Sequence, residues 1–516
     1  MSTTHPTATT MSTSALHRTG LSAAPQRAPL PNTRPADWHN PTVHGRFDLL
    51  VIGAGPGGMV AARTAAAAGA RVALVERYQL GGNCINEGCI PSKTLLRSAQ
   101  LYAEMRTAER YGAAPPPVIP VDFAMTMERV RRVRARLART DTPAQLSQAG
   151  ITLYFGCARF VGPDAVDVDG TRLEFKKALI ATGSRAVLPQ IKGLSEAGFL
   201  NNESVFEVTA LPASLLVIGG GPLGCEIAQA FARFGTRTVM VHSEPLFLPK
   251  EERDAAQMVS NALARDGVEI HLNSHVTEVH SQTDGKNVQM LSAGNVSSTV
   301  VDAILTGIGR RPAVQALDLE RAGVEYDAHA GIHVDDFLRT SNPRIYAAGD
   351  VCLEHKFTNT AQVSARIVVG NALFLGRQRL SALHIPWCTY TDPQVAHVGL
   401  YVRQARERHI PVKTYTVPMH DVGRAIADSE EDGFVKIHVR EGTDHILGAT
   451  IVGRSAGEMI NTVSLAMVAG IGLRRLARVV HAYPTQGDAI RQAAQACATA
   501  HASPLLVWLK RKWLRR

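Results

Sequence analysis

The feature that most constrains the fold of this 516-residue chain is a pattern that occurs twice, at residues 47–58 and 215–224. "FDLLVIGAGPGG" and "LLVIGGGPLG" are each an apolar strand that runs into a glycine-rich turn. Each turn is followed by an Ala-rich helical stretch and then by a second apolar strand, "RVALVER" or "RTVMVHS". Strand, G-x-G-x-x-G turn, helix and strand in this order are typical of a dinucleotide-binding unit. The chain is therefore predicted to contain two such units.

The three glycines of each motif have separate tasks. The first permits the tight turn, the second lets the backbone approach a pyrophosphate, and the third allows the helix to pack closely on the strand. The helix N-terminus then offers N–H groups and the positive end of its dipole to the phosphates. The predicted cofactor-binding glycines are Gly53, Gly55 and Gly58 in the first copy and Gly219, Gly221 and Gly224 in the second.

The residue at the end of the second strand of each unit indicates the ligand. Glu76 stands there in the first unit, and a carboxylate accepts hydrogen bonds from ribose hydroxyls but repels a 2′-phosphate, so this site suits FAD or NAD. His242 stands there in the second unit, and with Ser243 and Lys250 or Arg253 it tolerates a phosphate. NADPH is therefore favoured over NADH at the second site, although the Arg pair that would settle the choice is absent.

The net charge of +10 raises the question of a nucleic-acid ligand. Residues 1–46 contribute +3 and the tail "WLKRKWLRR", residues 508–516, contributes +5, so only +2 remains for the chain between them. A nearly neutral body argues against nucleic-acid binding. The tail carries Trp508, Trp513 and five cations, and it has two interpretations: weak contact with an anionic membrane surface or partner, or a solvated end.

Residues 1–46 are rich in Thr, Ser, Ala and Pro and nearly free of acidic residues. This composition predicts a disordered extension, with an organelle transit peptide as the alternative. The stretch lacks a basic segment followed by an apolar one, as a secretion signal would have, and no run of 18 apolar residues occurs in the chain. A cytoplasmic location is therefore expected.

Of the seven cysteines, only Cys84 and Cys89 are close neighbours, in "GGNCINEGCIPSK" at residues 81–93. A close thiol pair in an intracellular chain is more often catalytic or metal-binding than structural, and a second pair at zinc-ligand spacing is missing. In an ideal helix the two Cα atoms would lie about 8.6 Å apart, too far for a disulfide. Pro91 disfavours a regular helix, and Lys93 at a helix N-terminus would lower a thiol pKa. The pair is either redox-active or two buried free thiols.

Residues 81–93 closely resemble the redox-disulfide motif of the FAD-dependent pyridine nucleotide–disulfide oxidoreductases, which include lipoamide dehydrogenase, glutathione reductase and mercuric reductase. The likeness extends from residue 47 to about residue 490. It implies that Cys89 lies against the flavin and that Cys84 is the interchange thiol that meets the substrate. It also implies that Lys93 lies beside flavin N5 and pairs with Glu226, although the residues alone are equally consistent with two unrelated surface charges. The further cofactor-binding residues predicted are Gly82, Thr182, Gly183, Gly309 and Asp350, the last on the ribityl hydroxyls.

The resemblance implies a path for two electrons. NAD(P)H passes a hydride to one face of FAD, the flavin reduces the Cys84–Cys89 disulfide on the other face, and the dithiol reduces an acceptor. Disulfide reductases of this family place an acid–base His before a Pro near the C-terminus, with a Glu five residues later. In "HAYPTQGD", residues 481–488, Tyr483 takes the His position, Asp488 takes the Glu position, and His481 is a candidate substitute base.

A tyrosine, whose pKa is near 10, is a poor base at neutral pH, and mercuric reductases resemble this chain in having Tyr there. The predicted function is therefore reduction of Hg(II) to Hg(0) by a mercuric reductase-like enzyme with no resident metal. The adjacent C-terminal cysteines and the N-terminal C-x-x-C of the best-known mercuric reductases are missing, which leaves a low-molecular-weight disulfide or a quinone as alternative acceptors. Dihydrolipoamide dehydrogenase is a second enzyme hypothesis, against which Tyr483 and His242 argue. A third is a flavin-bearing interaction protein, docked on a membrane or partner and with little turnover.

The predicted fold class is α/β, with two Rossmann-like dinucleotide-binding domains, for FAD and NAD(P), and a C-terminal α+β dimerisation domain. The resemblance implies a homodimer in which Tyr483 of one subunit completes the disulfide site of the other. The predicted division is a disordered extension at 1–46, FAD-binding segments at 47–192 and 313–384, an NAD(P)-binding domain at 193–312, a dimerisation domain at 385–500 and a basic tail at 501–516.

Overall fold

The first glycine motif opens a mostly parallel sheet. A computed structural model describes residues 33–501 and 504–515. In its first segment the strands are β1 (Phe47–Ile52), β2 (Val72–Glu76), β3 (Ile151–Phe155), β4 (Ala158–Gly162), β5 (Ala165–Val168), β6 (Thr171–Ile180) and β7 (Ser184–Ala186). The helices are α1 (Pro56–Ala67), α2 (Gly82–Asn86), α3 (Cys89–Arg106), α4 (Phe123–Ala138) and α5 (Pro143–Gln148). The strand order is β3-β2-β1-β6-β5-β4, and β1 is parallel to both β2 and β6. Strand β1 is almost fully buried, as expected for a parallel strand covered on both faces.

The second glycine motif opens a separate sheet. Its segment contains α6 (Leu194–Ala197), β8 (Ser214–Ile218), α7 (Pro222–Phe234), β9 (Arg237–Val241), α8 (Arg253–Arg265), β10 (Val268–His271), β11 (Ser274–Gln282), β12 (Gly285–Ser292), β13 (Asn295–Val301) and β14 (Ala303–Thr306). A four-stranded parallel sheet has the order β10-β9-β8-β14, and β11, β12 and β13 form an antiparallel sheet beside it. Both glycine turns thus follow the carboxyl end of a parallel strand, where open α/β sheets bind ligands.

The chain then returns to the first sheet. This segment contains β15 (Arg310–Pro312), β16 (Tyr326–Asp327), β17 (Gly331–Ile332), β18 (Ile345–Ala347) and α9 (Thr358–Leu373). Strand β15 pairs with β7, and β18 adds to β6 in parallel to complete the seven-stranded sheet. The second dinucleotide unit is therefore inserted within the chain of the first.

The C-terminal part is built on an antiparallel sheet of five strands in the order β19-β20-β23-β22-β21. Its elements are β19 (Trp387–Thr389), β20 (Gln394–Gly399), α10 (Val402–Glu407), β21 (Val412–Pro418), α11 (Gly423–Ala427), β22 (Phe434–Arg440), β23 (Ile446–Gly453), α12 (Ala456–Val468), α13 (Leu473–Leu476), α14 (Asp488–Ala500) and α15 (Pro504–Leu514). Two dinucleotide-binding units and a sheet-rich α+β domain confirm the predicted fold class.

The first part of the predicted extension, residues 1–32, lies outside the described residues. Residues 33–46 correct the expectation of disorder because they pack on the first domain. Trp38 meets the ring of Phe155 edge-on with 5.4 Å between centroids, and the Asn40 side chain exchanges two hydrogen bonds of 2.8 Å with the backbone of Phe155. An aromatic ring and a backbone-pairing amide thus anchor a segment whose overall composition resembles a disordered one.

Helix α3, which begins at Cys89, packs lengthwise on α7 of the inserted unit. Leu95 and Ala99 are fully buried in the core that also contains Phe231 and Phe234. Tyr102 adds an edge-on contact with Phe234 at 5.7 Å between centroids. This packing holds the first turns of the two helices side by side, and the candidate site is built there.

Candidate functional site

Cys84 and Cys89 lie at the junction of two helices rather than in one. Cys84 belongs to α2, which ends at Asn86, and Cys89 is the first residue of α3. Pro91 falls in the first turn of α3, where helix N–H groups have no intrahelical partner in any case, so it is compatible with the helix. Both cysteines are free thiols, with Cys84 half-buried and Cys89 exposed. The two cysteines are thus separated by a bend between two helices and do not lie in one continuous helix.

The two thiols differ in acidity. The hydrogen bond from Cys84 lowers the pKa of Cys89 to about 6, against an opposing effect of burial, and the charge of Lys93 lowers it further. The same hydrogen bond raises the pKa of Cys84 above its ordinary value. The hydroxyl of Thr358, the first residue of α9, lies 3.6 Å from the Cys89 sulfur. Cys89 is therefore the thiolate of the pair at neutral pH, and Cys84 is the proton donor.

Lys93 and Glu226 form the ion pair that the family resemblance implied. Lys93 Nζ lies 2.8 Å from each carboxylate oxygen of Glu226, which is almost fully buried. The backbone N–H of Tyr390 donates to the same carboxylate at 3.0 Å, and Lys93 Nζ lies 4.5 Å from the Tyr390 ring centroid. Burial alone would lower the pKa of Lys93, but the charges of Glu226 and Cys89 outweigh it and raise that pKa. Lys93 is therefore a fixed positive charge one helical turn from Cys89.

The first glycine turn has the shape of a phosphate cradle. Gly53 adopts φ +102°, and a Cβ there would lie 2.5 Å from the carbonyl oxygen of Ala181. A Cβ on Gly58 would lie 1.8 Å from the carbonyl oxygen of Gly53, so the helix packs on the turn as closely as the motif requires. Gly55 is the N-cap of α1 and provides no side-chain cap, which leaves the helix N–H groups available to a ligand.

Glu76 lies at the end of β2, where an adenosine ribose would be held. Its carboxylate accepts hydrogen bonds of 2.8 Å from the backbone N–H groups of Ala54 and Tyr78. Burial raises the pKa of Glu76, and these two N–H groups oppose that rise. The carboxylate is thus fixed beside the glycine turn in a position to accept from ribose hydroxyls, and the residues present fit FAD.

The other residues predicted to bind a cofactor are Gly82, Thr182, Gly183, Gly309 and Asp350. Asp350 accepts a 2.5 Å hydrogen bond from the Ser184 hydroxyl, which itself accepts one of 2.7 Å from Arg310 Nε. The Thr182 hydroxyl donates to the carbonyl of Ala313 at 2.8 Å. Gly82 lies against the first glycine turn, since a Cβ on it would be 2.6 Å from the Cα of Gly55. A Cβ on Gly183 or on Gly309 would have no other atom within 4 Å.

The second glycine turn repeats the geometry of the first. Gly219 has φ +111°, Gly221 is the uncapped N-cap of α7, and a Cβ on Gly224 would lie 2.0 Å from the carbonyl oxygen of Gly219. His242 stands at the end of β9, and its Nδ1 accepts from the backbone N–H of Gly220 at 3.3 Å. Burial lowers the pKa of His242, so the ring is neutral and its proton sits on Nε2. That atom is buried and has no hydrogen-bond partner among the described residues.

Arg253 is not available to a coenzyme phosphate as the sequence suggested. Its guanidinium donates to the backbone carbonyls of Phe247, Leu248 and Glu251 and so closes the loop between β9 and α8. The exposed Lys250 remains as the nearby cation. His242 is therefore the side chain in direct contact with the second glycine turn.

The segment before Pro484 is at the surface of the C-terminal domain. The Tyr483 side chain is 79% exposed, while Nε2 of His481 is buried and lacks a hydrogen bond within the described chain. Asp488 accepts from Arg491 Nε at 2.6 Å and from Gln492 Nε2 at 3.0 Å, and the contact with Arg491 lowers its pKa. Asp488 is thus engaged by its own helix, and across the residues described no hydrogen bond joins it to His481 or Tyr483.

Some residues at the site carry no signal in the sequence. Thr358 contacts Cys89, Tyr390 covers Lys93, and Ser184 contacts both Asp350 and Arg310, and in each of these contacts the two residues are more than 100 positions apart in the chain. Arg310 follows Gly309, which is a predicted cofactor-binding residue. No motif in the sequence around Tyr390 marks it as a residue of the site.

A thiol pair in the first dinucleotide-binding domain, at the start of a helix that packs on the second such domain, defines a disulfide oxidoreductase that works with a pyridine nucleotide. The chain belongs to the pyridine nucleotide-disulphide oxidoreductase family, whose model matches residues 47–366. The model of the dimerisation domain of that family matches residues 385–494. Members of this family use FAD and a pyridine nucleotide.

Named relatives have more than one activity. The chain is 33% identical to a mercuric reductase from Staphylococcus aureus over 87% of its length and 82% of the relative. It is 34% identical to a dihydrolipoyl dehydrogenase from Geobacillus stearothermophilus over 87% of its length and 95% of the relative. Among solved structures it resembles the HOCl-induced flavoprotein disulfide reductase RclA from Escherichia coli, with a TM-score of 0.78, 30% identity and coverage of 87% and 99%. A Cu(II) complex of RclA matches with a TM-score of 0.76, 30% identity and coverage of 88% and 100%.

Two further features concern metals and membranes. Within residues 33–501 and 504–515, no cluster of three His, Cys, Asp or Glu side chains is placed to hold a metal ion. In the same part of the chain, no helix has the length and apolar character needed to cross a bilayer.

Proposed function

We propose that this chain is a cytoplasmic, FAD-dependent NADPH oxidoreductase that reduces a thiophilic metal ion, Hg(II), bound by Cys84 and Cys89. The observation that carries the proposal is the chemistry of the segment at residues 481–488. Reduction of a disulfide requires a proton for the leaving thiolate, and the residue in the acid–base position is Tyr483, not His. His481 is a poor substitute because the Nε2 atom it would use is buried.

A metal ion has the opposite proton requirement. It binds thiolates, so its binding releases protons instead of consuming them. Cys89, with a pKa of about 6, is ionised at neutral pH, and Cys84 loses its proton when the metal binds. Tyr483 then needs only to contribute a soft-metal contact or a hydrogen bond. The existence of a Cu(II) complex of RclA, a structural neighbour, supports a metal ion as a ligand in this fold.

The residues of this chain divide the work of cofactor binding and electron transfer. Gly53, Gly55 and Glu76 hold the pyrophosphate and ribose of FAD, while Asp350 and Thr182 hold its ribityl and ring portions. FAD bound there would supply the relay of two electrons from reduced nicotinamide to the Cys84–Cys89 disulfide or to a metal ion held by the two thiolates. Lys93 fixes a positive charge beside Cys89, and Glu226 holds Lys93 in place.

The net reaction is Hg²⁺ + NADPH → Hg⁰ + NADP⁺ + H⁺. The nicotinamide supplies two electrons as a hydride, the metal accepts both, and one proton enters the solvent. Gly219, Gly221 and His242 bind the coenzyme, since His242 follows β9 and contacts the second glycine turn through Gly220. The exposed Tyr483 reaches the thiol pair of the partner subunit in a homodimer.

The C-terminal helix supports a weak contact with an anionic membrane surface. Trp508 is 54% exposed and Trp513 78% exposed, and the ammonium group of Lys512 lies 4.9 Å from the Trp508 ring centroid. Exposed indole rings among five cations combine the two interactions that hold a helix at a charged interface.

The function is tested by steady-state NADPH oxidation with Hg(II), lipoamide and glutathione disulfide in turn, together with measurement of Hg⁰ vapour. We expect Hg(II) to sustain turnover and release Hg⁰ in the wild type and not in Cys84→Ser. Cys157→Ser, at an exposed cysteine remote from the pair, is the matched control. Turnover of lipoamide without Hg⁰ release would assign the chain to the dihydrolipoyl dehydrogenases instead. If none of the three acceptors sustains NADPH oxidation, an interaction protein is favoured.

A further inference from the structure

Tyr390 is the residue at which three parts of the chain meet. Lys93 lies in α3 of the first dinucleotide-binding unit, Glu226 lies in α7 of the inserted unit, and Tyr390 directly follows β19 of the C-terminal domain. The ring centroid of Tyr390 is 4.5 Å from Lys93 Nζ, and its backbone N–H donates to the Glu226 carboxylate at 3.0 Å. A single residue of the C-terminal domain therefore contacts both members of the ion pair that joins the other two units.

The Tyr390 ring is also held from the side of its own domain. Gly457 lies in the first turn of α12, and a Cβ there would be 3.3 Å from Cε1 of the ring and 3.2 Å from the sulfur of Cys388. Strand β19, which contains Cys388, pairs with β20, so the backbone that leads into Tyr390 is part of the sheet. The ring is thus packed between the Lys93 ammonium group and the start of α12, and both contacts restrict its position.

The ring contact constrains Lys93 more than Glu226. The Glu226 side chain is 3% exposed and that of Lys93 is 33% exposed, so burial fixes the carboxylate while the lysine keeps access to water. A lysine has a flexible four-carbon stem and a strongly hydrated ammonium group, and the face of an aromatic ring attracts such a cation. The Tyr390 ring therefore restricts the member of the pair that burial leaves less constrained.

The position of Lys93 matters because its charge acts on Cys89. The hydrogen bond from Cys84 lowers the pKa of Cys89 to about 6, and the charge of Lys93 lowers it further. The carboxylate of Glu226 opposes this effect, and Arg310 is a second cation within electrostatic range of Cys89. Lys93 is the cation on the same helix as Cys89, one turn further along.

The phenol of Tyr390 carries no charge at neutral pH, because burial raises its pKa above the ordinary value. Its ring can therefore act on the sulfurs through Lys93 and not through a charge of its own. We propose that Tyr390 is a positioning residue that holds Lys93 near Cys89 and so sets the reduction potential of the Cys84–Cys89 pair.

Reduction breaks the bond between the two sulfurs with two electrons and one proton. The proton binds the sulfur of Cys84, and the sulfur of Cys89 keeps a negative charge that a nearby cation stabilises. A well-placed Lys93 ammonium group thus favours the reduced form and makes the potential less negative. The inference rests on the redox role proposed above for the two cysteines and does not depend on the identity of the acceptor.

Two substitutions of Tyr390 separate its ring from the rest of the residue. Tyr390→Leu keeps the backbone N–H to Glu226 and removes the aromatic face, so Lys93 should move toward water and the potential should become more negative. We expect the thiol–disulfide equilibrium constant to change by about threefold or more, equivalent to about 14 mV. Tyr390→Phe keeps the aromatic face and loses only the hydroxyl, so its constant should stay within about 1.5-fold of the wild type.

Lys93→Met provides the second comparison. It removes the cation itself, so it should shift the equilibrium constant in the same direction as Tyr390→Leu, by about tenfold. Tyr390→Leu added to Lys93→Met should produce no further shift, because the ring then has no cation to hold. If Lys93→Met does not fold, the comparison of Tyr390→Leu with Tyr390→Phe still decides whether the ring has this role.

The test equilibrates each holoprotein with dithiothreitol and its cyclic disulfide at neutral pH, alkylates the free thiols and measures the oxidised fraction of the 84–89 disulfide by mass spectrometry. In this exchange dithiothreitol is oxidised to its cyclic form as the protein disulfide is reduced. Tyr415→Leu is the matched control, since it removes a buried ring from the core of the same domain. It should lower the unfolding temperature, which is measured for every variant, and leave the potential unchanged.

A more negative potential in Tyr390→Leu, restored in Tyr390→Phe and absent from the Lys93→Met background, would support the positioning role. An unchanged potential in Tyr390→Leu, an equal shift in Tyr390→Phe, or a further shift in the Lys93→Met background would overturn it. A shift that Tyr415→Leu reproduces would show a general effect of stability and would also overturn it. A wild type that forms no 84–89 disulfide in any buffer would overturn the proposed function as well, whereas a normal wild-type potential with any of the contrary variant results would overturn this inference alone.

Discussion

Lys93 Nζ lies 2.8 Å from both carboxylate oxygens of Glu226. This contact joins α3, which begins at Cys89, to α7, the helix of the second glycine motif. The two residues are unequally buried, because the Glu226 side chain is 3% exposed and that of Lys93 33% exposed. The pair thus connects the thiol site to the coenzyme-binding unit, and its two members are expected to differ in their tolerance of substitution.

Lys93→Met should destabilise the protein more than Glu226→Gln. The first change leaves a buried carboxylate with only the Tyr390 N–H as a donor, at a cost of about 3–5 kcal/mol. The second leaves a lysine that can reach water, so its cost should be only about 1–2 kcal/mol. Denaturant unfolding of the holoprotein measures both, and the double variant should cost less than the sum of the two. An equal or larger loss for Glu226→Gln would contradict this account.

The ionisation of Cys89 should depend on Cys84. With a pKa of about 6, the Cys89 thiolate of the reduced enzyme is present at neutral pH and lost as the pH falls below 6. Cys84→Ala removes the hydrogen bond that is the largest cause of the lowered pKa, so the midpoint should rise by about 1–2 pH units. The measurement is the pH dependence of the long-wavelength thiolate–flavin absorbance of the holoprotein.

Cys84→Ser is the control for that titration, because its hydroxyl keeps a donor near Cys89 and should give a smaller rise. A midpoint that stays near 6 in Cys84→Ala would show that Lys93 alone holds the thiolate.

The parts of the fold set by local pattern were predictable from the sequence. The glycine spacing follows from steric limits between residues a few positions apart. At Gly58 and Gly224 a side chain would collide with the carbonyl oxygen of the first glycine of the same motif. The thiol pair was recognisable for the same reason, since Cys84, Cys89 and Pro91 fall within eight consecutive residues. The division of the chain into domains and the individual roles of the site residues stay predictions.

Long-range partnerships had no such local signal. Glu87 and Arg185 are in contact although they are 98 positions apart, and the order of charged residues along the chain does not predict this contact. The packing of Trp38 and Asn40 on Phe155 was hidden by the composition of the segment that contains them. Asp488 was chosen by its spacing from Tyr483, but Arg491, one turn later on the same helix, engages it.

His242→Glu should shift coenzyme preference toward NADH. A carboxylate in this position accepts from the ribose 2′-hydroxyl of NADH and repels the 2′-phosphate of NADPH. We expect the ratio of kcat/KM for NADPH over NADH to fall by at least about tenfold, which corresponds to 1.4 kcal/mol. Arg253→Ala, which alters the neighbouring loop and leaves His242 in place, should lower both values together. An unchanged ratio in His242→Glu would remove His242 from coenzyme selection.

The C-terminal helix should bind anionic vesicles in a salt-dependent manner. Co-sedimentation with phosphatidylglycerol vesicles should exceed that with phosphatidylcholine vesicles and should be lost at 0.5 M salt, because surface potentials decay within a Debye length. Trp508→Ala/Trp513→Ala and Arg511→Ala/Lys512→Ala should each weaken binding. Arg132→Ala/Arg136→Ala removes the same charge from exposed positions on α4 and should not weaken it. Equal losses in the two charge variants would indicate non-specific attraction and not a docking helix.

Tyr483→His should exchange one substrate class for another. An imidazole with an ordinary pKa near 6.5 can protonate a leaving thiolate at neutral pH, which a phenol with a pKa near 10 cannot do efficiently. The variant should therefore gain lipoamide or glutathione disulfide reduction by about tenfold or more, within the range that general acid–base catalysis supplies. Its Hg(II) reduction should fall, since the phenol oxygen is lost. Tyr483→Phe separates the two effects, because it should lose Hg(II) reduction without gaining disulfide reduction.

Tyr483 is exposed in the single subunit, so we expect its substitution to change activity in the assembled dimer and not the fold of each subunit. Its side chain is 79% exposed, and its position is set by the loop that precedes α14, so substitution there should leave the fold and cofactor content unchanged. Mixed dimers of Tyr483→Phe with Cys84→Ser should retain one site that contains both Tyr483 and Cys84, because the proposed function requires Tyr483 of each subunit to serve the partner. Such mixtures should recover part of the Hg(II) turnover that both parent homodimers lack. A mixture with no recovery would mean that Tyr483 acts within its own subunit or not at all.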